Sequence, residues 1–335
     1  MIRMPKQYKT ALSDFRFIDL FCGIGGFHLA LKSFGAKCVF ASDIDSESRK
    51  IYNTNFKLDP EGDIKTIENK DIPKHEILCG GFPCQAFSIS GTQAGFSDEK
   101  TGKLFFEIIR IAKHHKPKVI LLENVANLNS HNEGETIKTI IASLEKIGYR
   151  VYKQVLSAVD YNVPQCRKRL YIVAFRKDLN TKEFSFPEKI TLKRKLENIL
   201  EDSSAEHIKN YIIDRDYTIR PGHQTLEETS KNPYIRIGEI GLGRQGERIY
   251  SIKGCAATLS STGGGLGGRT GIYLINDKIR KLTPRECARL MGFPNTFQVA
   301  ETANQAYQQF GNSIVVDVVQ RIIIEAIKAL EGGPT

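Results

Sequence analysis

An apolar stretch from Phe15 to Phe21 runs into Gly23-Ile24-Gly25-Gly26, and the chain resumes with helical periodicity from Phe27 to Phe34. A strand that passes through glycines straight into a helix is the first half of a βαβ unit, and it commits the downstream chain to a parallel sheet. Gly35 is placed to end that helix in a left-handed conformation. The next strand, Lys37 to Ala41, ends at Ser42-Asp43, and Ser46 is placed to cap a helix reaching about Asn53. Ile77-Leu78-Cys79 reads as a strand end. Lys103 to His115 carries apolar residues at 104, 105, 108, 109 and 112, one face of a helix. Val119 to Leu122 is a short apolar strand ending at Glu123-Asn124. Glu135 to Ile147 is a helix with Gly148 beyond it, and Leu170 to Phe175 is a further strand. This alternation predicts an α/β fold, a mostly parallel sheet with helices on both faces.

The pattern changes near Arg176. From about 180 to 280 the chain is more polar and less periodic, and it holds the glycine run Gly263-Gly264-Gly265-Leu266-Gly267-Gly268. A second, smaller domain is expected there. Helical character returns at Thr283-Pro284-Arg285-Glu286, which has capping-box spacing with proline at the first helical position. A last helix is expected over about Ser313 to Leu330. The predicted division is 1–190, 191–285 and 286–335, the last segment rejoining the first domain.

In open α/β sheets ligands bind at the carboxyl ends of strands, which is where Asp19 to Gly26 lies. Asp43 follows Gly23 by 20 positions at the end of the next strand, where an acid can hold ribose hydroxyls. The glycines read GxGG, and His28 occupies the third position of GxGxxG. The dinucleotide fingerprint is broken, which disfavours NAD or FAD. A nucleoside cofactor without a pyrophosphate fits better, with S-adenosylmethionine the foremost example. The run Gly80-Gly81-Phe82-Pro83-Cys84-Gln85 sets a thiol on a loop after a strand. Glycine lets another molecule approach the backbone and proline stiffens the approach, so the loop suits a nucleophile better than a core residue. The seven cysteines contain no CxxC pair, so neither a zinc site nor a disulfide framework is indicated, and a reducing cytoplasm is the natural compartment. No apolar run has membrane-spanning length. The net charge of +10 suits a polyanionic partner.

Asp19-Leu20-Phe21-Cys22-Gly23-Ile24-Gly25-Gly26, Gly81-Phe82-Pro83-Cys84-Gln85, Glu123-Asn124-Val125, Gln165-Cys166-Arg167-Lys168-Arg169, Arg285-Glu286 and Gln309-Phe310-Gly311-Asn312-Ser313 stand in an order that resembles the DNA cytosine-5 methyltransferases. The motifs span nearly the whole chain, and it is their combination that is specific. The resemblance implies a Rossmann-like S-adenosylmethionine-dependent methyltransferase domain, 1–190, with a smaller target-recognition domain. It implies that Cys84 is the nucleophile toward cytosine C6, that Glu123 bonds N3 and the exocyclic amine, that Arg169 binds O2, and that Arg167 supports their loop. By the same resemblance Asp19, Phe21, Gly23, Gly25, Gly26, Asp43, Ile44, Asp63, Ile64, Pro83, Leu104, Asn312 and Ser313 surround the cofactor. Ile44 departs from relatives that carry a tryptophan and a glutamate in this region.

Toward double-stranded DNA the resemblance implies a flipped base, with Gln245 and Ser90 filling its place and the loop from Ser88 to Gly102 closing over the duplex. It gives Thr258 a phosphate and brings Gly264 and Gly265 to the base edges. The similarity extends through Gln245-Gly246-Glu247-Arg248-Ile249-Tyr250 to family members of GCGC specificity, which implies that site, with Arg248 the candidate for guanine. No metal is implied. A monomer suffices for a palindromic tetranucleotide, and a restriction endonuclease of the same specificity is the expected biological counterpart. A tRNA cytosine-5 methyltransferase is the nearest rival, which the long variable region argues against. A non-catalytic DNA-binding module is disfavoured by intact Cys84 and Glu123, and a dehydrogenase by the broken glycine fingerprint.

Overall fold

The computed structural model describes residues 5–83 and 102–331. The chain divides into two compact units. Residues 157–167 and 189–317 form the smaller one, and the rest of the described chain forms the sheet unit.

The sheet unit holds six strands: β1 (Arg16–Leu20), β2 (Lys37–Ser42), β3 (Ile77–Gly80), β4 (Val119–Val125), β5 (Tyr149–Ser157) and β6 (Lys168–Arg176), in the order β2-β1-β3-β4-β6-β5. The first four are parallel, whereas β6 runs antiparallel to β4. Four carboxyl ends and the amino end of β6 therefore share one edge. The order reverses between β1 and β3, the kind of switch point at which α/β sheets bind ligands. Its helices are α1 (Gly26–Lys32), α2 (Ser46–Phe56), α3 (Gly102–His115) and α4 (Glu135–Lys146).

Side chains alternate faces along a strand. Ile18, Leu20, Leu78, Ile120, Leu122 and Ile172 meet Phe105, Ile108, Ile111 and Ala112 of α3 and Ile137, Ile140 and Leu144 of α4 in one core. On the other face Ile77, Val119 and Leu121 meet Leu31 of α1 and Ile323, Ile327 and Leu330 near the C-terminus. Each such Leu or Ile contributes about 1.5–3 kcal/mol when fully buried. Helices thus cover both faces, as the periodicity predicts.

Some boundaries differ from those the sequence predicts. Asp45, not Ser46, caps α2: its carboxylate accepts from Glu47 N at 3.1 Å and from the Ser48 hydroxyl at 2.8 Å. That helix runs past Asn53 to Phe56. β4 continues through Glu123 and Asn124 to Val125, because both stay in register with β6. The last helix begins at Val316, and Gln309 to Asn312 belong to a separate helix.

The smaller unit holds β7 (Tyr217–Ile219), β8 (Arg236–Ile240), β9 (Arg248–Ser251), β10 (Ile272–Ile275) and β11 (Lys278–Arg280) in the order β11-β10-β9-β8-β7, with the helices α5 (His223–Thr229), α6 (Pro284–Leu290) and α7 (Ala303–Asn312). A compact isoleucine core, Ile213, Ile235, Ile237, Ile249, Ile272 and Ile279, backs the sheet. The capping box of α6 forms as its spacing predicts: Thr283 Oγ1 accepts from Glu286 N at 3.1 Å, and Glu286 accepts from Thr283 N at 2.9 Å. Glu286 also takes both terminal nitrogens of Arg280 at 2.7 Å, and both side chains are almost wholly buried. α8 (Val316–Leu330) leaves this unit and covers the sheet unit from residue 318 onward.

Candidate active site

The shared edge of the sheet is built around three acids. Asp19, fully buried in β1, stands opposite Cys79 of β3. The Cys79 thiol points at its Oδ1 from 3.7 Å, and the amide of His28 lies close enough to favour the charged form. Oδ2 has no hydrogen-bond partner among the described residues. Burial pushes the Asp19 carboxyl well above the usual carboxylate range, and the charge of Asp43 adds to the shift. Asp43 ties the glycine turn down. One carboxylate oxygen accepts from Gly23 N at 2.7 Å and the other from Asp45 N at 2.8 Å. Its pKa is raised by burial, against these two bonds.

The turn between β1 and α1 needs backbone conformations that side chains resist. Phe21 adopts φ +54°, a left-handed value that costs a non-glycine residue on the order of 1–3 kcal/mol. Gly25 has φ +85°, and a Cβ there would stand 2.2 Å from Phe56 Cε2. Gly23 (φ +51°) faces open space, and Gly26 begins α1. Ile44, directly after Asp43, leaves 76% of its surface exposed. Asp63 caps a single 3-10 turn, accepting from Lys65 N at 3.1 Å, which leaves Ile64 buried in the main core. Leu104 of α3 packs on the same core.

Glu123 is the third acid. It is 7% exposed, and its Oε1 stands 3.1 Å from Arg169 Nε, the residues coming from the neighbouring strands β4 and β6. Gly81 places its backbone beside this carboxylate, 3.9 Å from where a Cβ would sit. Asn124 holds the described end of the cysteine loop, its Nδ2 donating to Phe82 O at 2.9 Å while its Oδ1 accepts from Val125 N at 2.8 Å. Pro83 ends that described stretch. Cys84, Ser88 and Ser90 lie outside the described residues. Asp19, the Asp43 turn, Gly81 to Pro83, Glu123 and Arg169 therefore stand along one edge. Two features escape a reading of the sequence: the bond from Asn124, although Glu123-Asn124-Val125 stands out as a motif, and the strain at Phe21, which no composition signal announces.

The remaining candidates lie in the smaller unit. Arg167 is 2% exposed, and its guanidinium donates to Leu259 O at 2.9 Å, Gly311 O at 3.0 Å and Ser313 O at 2.6 Å. It is a brace between segments and not part of a solvated basic run. Asn312, exposed, ends α7, and Ser313 follows it, buried. Gln245 is exposed at the start of a 3-10 turn leading into β9. Arg248 is half-buried, its Nε donating to Gly243 O at 3.4 Å. Tyr250 is buried, its ring between those of Tyr234 and Tyr273. Thr258 is exposed, its hydroxyl donating to the carbonyl of Cys166. The glycine run packs backbone on backbone: Gly267 N donates to Gly246 O at 2.8 Å, and a Cβ on Gly246 would meet Gly264 O at 2.6 Å. Gly264 and Gly265 stay exposed.

A buried carboxylate with a spare oxygen and a second acid at the next strand end, followed by the exposed apolar Ile44, form a set that fits a cationic nucleoside cofactor. The buried Glu123 with the half-buried Arg169, beside the described end of a cysteine loop, fits a pyrimidine. The family model for C-5 cytosine-specific DNA methylases matches residues 15–328, and the chain belongs to that family of S-adenosylmethionine-dependent enzymes. It is 48% identical over the full length of both chains to the type II methyltransferase M.HhaI of Haemophilus parahaemolyticus. With the type II methyltransferase M1.ScrFI of Lactococcus lactis subsp. cremoris it shares 41% identity, over 96% of this chain and 80% of the relative. Among solved structures, the fold matches the S. pombe Dnmt2 methyltransferase with a TM-score of 0.70 at 23% identity, over 93% of this chain and 98% of that one. The protein is a C-5 cytosine DNA methyltransferase of the type II modification class, acting on DNA. Among the described residues, no helix is long and apolar enough to cross a membrane, and no group of three potential ligands is arranged to hold a metal.

Proposed function

We propose that the chain methylates C5 of a cytosine flipped out of duplex DNA, through a covalent bond from Cys84 to C6, at the first cytosine of GCGC. The observation that carries this reading is the Glu123–Arg169 pair at the sheet edge next to the described end of the Cys84 loop.

Cytosine C5 is a poor nucleophile. When the Cys84 thiolate adds to C6, the C5–C6 double bond supplies its electron pair toward the ring, and C5 becomes enamine-like. Glu123 hydrogen-bonds N3 and the exocyclic amine, which favours a protonated ring as charge develops, and Arg169 donates to O2. Their mutual contact holds both head groups at the edge before the base arrives. Arg167 acts through the backbone, fixing the carbonyls at 259, 311 and 313. S-adenosylmethionine supplies an electrophilic methyl on a sulfonium when bound. Asp19 offers its spare oxygen to a cationic group there, Asp43 holds the ribose, and Ile44, Phe21, Pro83 and Leu104 give apolar surface. Asp63, Ile64, Asn312 and Ser313 complete that set, with Gly23, Gly25 and Gly26 leaving room for it. After transfer the C5 proton leaves, the Cys84–C6 bond breaks, and aromaticity returns.

The smaller unit reads the sequence. Gln245 and Ser90 fill the space the flipped base vacates, the loop from Ser88 to Gly102 closes over the DNA, Thr258 takes a phosphate, and Gly264 and Gly265 bring bare backbone to base edges. Arg248 pairs with guanine, backed by Tyr250. The enzyme acts as a cytoplasmic monomer, opposite a restriction endonuclease of the same specificity with no stable complex. Bisulfite mapping of a plasmid from an expressing host tests the reading. Methylation confined to GCGC supports it, and a different motif overturns the specificity alone. A duplex carrying 5-fluorocytosine at the target tests the covalent step: a denaturation-stable complex is expected with the wild type and none with Cys84→Ser. Preference for tRNA over duplex DNA as acceptor overturns the substrate.

A further inference from the structure

Two thiols that methyl transfer leaves unused meet in the smaller unit. Gln165 pairs in parallel with Ala256. The Cys166 amide donates to Ala256 O at 3.0 Å, and the Ala256 amide donates to Pro164 O at 2.8 Å. Residues 164–166 and 255–256 therefore run side by side. Cys166 directly follows Gln165 and Cys255 directly precedes Ala256, so the two cysteines flank the paired position. The Cys166 side chain is the foremost influence on the Cys255 thiol, which sets the two sulfurs beside each other. Both are reduced cysteines: Cys255 is 1% exposed, and Cys166 is only half-buried.

We propose that Cys166 and Cys255 are a two-thiol modification site that hydrogen peroxide converts to an intrachain disulfide. The outer thiol reacts first. The Cys166 thiolate attacks the peroxide, an S–O bond forms, the O–O bond breaks, and the leaving oxygen departs as water after taking a proton. Cys255 sulfur then attacks the Cys166 sulfenic acid, the S–S bond forms, the S–O bond breaks, and a second water carries off the Cys255 proton. Two thiols are oxidised and one peroxide is reduced. The order of events is set by the surroundings: Cys166 is half-buried and open to the oxidant, whereas Cys255 is 1% exposed, and the neighbouring Cys166 sulfur and burial both push its thiol up. The bond joins segments already tied together by the Thr258 hydroxyl on the Cys166 carbonyl and by Arg167 on the Leu259 carbonyl. Oxidation staples this corner and does not open it.

The test exposes the full-length protein to graded hydrogen peroxide, blocks the remaining thiols by alkylation, and maps peptides without reduction. The expected product is one cross-linked species joining the peptides of Cys166 and Cys255, two hydrogens lighter than their sum and separated by dithiothreitol. In Cys255→Ser, oxidation should stop at a Cys166 sulfenic acid, and dimedone labelling of Cys166 should exceed the wild-type level several-fold. Should that variant not fold, Cys255→Ala takes its place, and the wild-type peptide map decides alone. Separate recovery of the two peptides while other cysteines, Cys84 included, become oxidised overturns the proposal. Equal dimedone labelling of Cys166 in wild type and variant does so too.

Discussion

Asp19 is a carboxylate in a place that resists charge. An acid whose folded pKa lies above its unfolded value contributes most to stability below the unfolded value, near 3.8, and that contribution is lost as pH rises through the folded pKa. The cofactor-free protein therefore carries the cost of Asp19 at neutral pH. Asp19→Asn is expected to stabilise it there by about 1–3 kcal/mol in urea unfolding, while calorimetry shows weakened S-adenosylmethionine binding. A variant less stable than wild type would mean that the spare oxygen is satisfied in the cofactor-free state. Glu123 pairs with Arg169. Glu123→Gln keeps the shape and removes the negative partner. The expected outcome is a methyl-transfer rate at least about a hundredfold lower, the lower end of what a positioned acid contributes, with DNA affinity little changed in a gel-shift titration.

Among the elements, the glycine turn and the capping box carry the sharpest expectations. Gly25→Ala must hold φ near +85° and displace Phe56, whose ring stacks on His28 at 3.8 Å. A loss of about 2 kcal/mol or more is expected, read as a lower denaturant midpoint. Glu286→Ala removes the carboxylate from Arg280 and leaves a guanidinium buried, at a cost of about 3–5 kcal/mol. The α6 cap was legible because Thr283, Pro284 and Glu286 act within one turn. The α1 turn was legible for the same reason. Strand β5 was not: its middle residues, including Lys153 and Gln154, are exposed at the sheet margin, so it lacks an apolar run. The direction of β6 was not either. Leu170 to Phe175 reads as a buried strand in either direction, and only pairing across some fifty residues with Val119 to Val125 decides. The site fared similarly. Asp19, Asp43, Glu123 and Arg169 were visible as residue types at strand ends, but the Glu123–Arg169 contact depends on that antiparallel register.

For the molecule as a whole, two buried histidines set the acid limit. His28 is pushed down to about 3 by burial and by Lys32, and His75 to about 4, chiefly by burial. A base whose folded pKa is depressed leaves stability intact above its unfolded pKa, near 6.5, and removes it as pH falls toward the folded value. Thermal melts from pH 7 to pH 4 should show a falling midpoint, with a slope of up to about 1.4 kcal/mol per pH unit for each histidine. The raised Asp19 and Asp43 act in the opposite direction, so the comparison is between variants: His28→Gln should lose less stability toward pH 4 than the wild type, and a variant curve parallel to the wild type's would contradict the assignment. The path of the chain has a consequence of another kind. Residues 189–317 all belong to the smaller unit, and only afterwards does α8 arrive to cover Leu31, Ile77, Val119 and Leu121, with Gln320 Nε2 donating to Ser33 Oγ at 2.9 Å. During synthesis the ribosome finishes every strand of the sheet long before the helix that shields one side of it. Through that interval the nascent chain presents a sticky apolar surface, so a message cut short near codon 315 yields a product destined for chaperones or proteases.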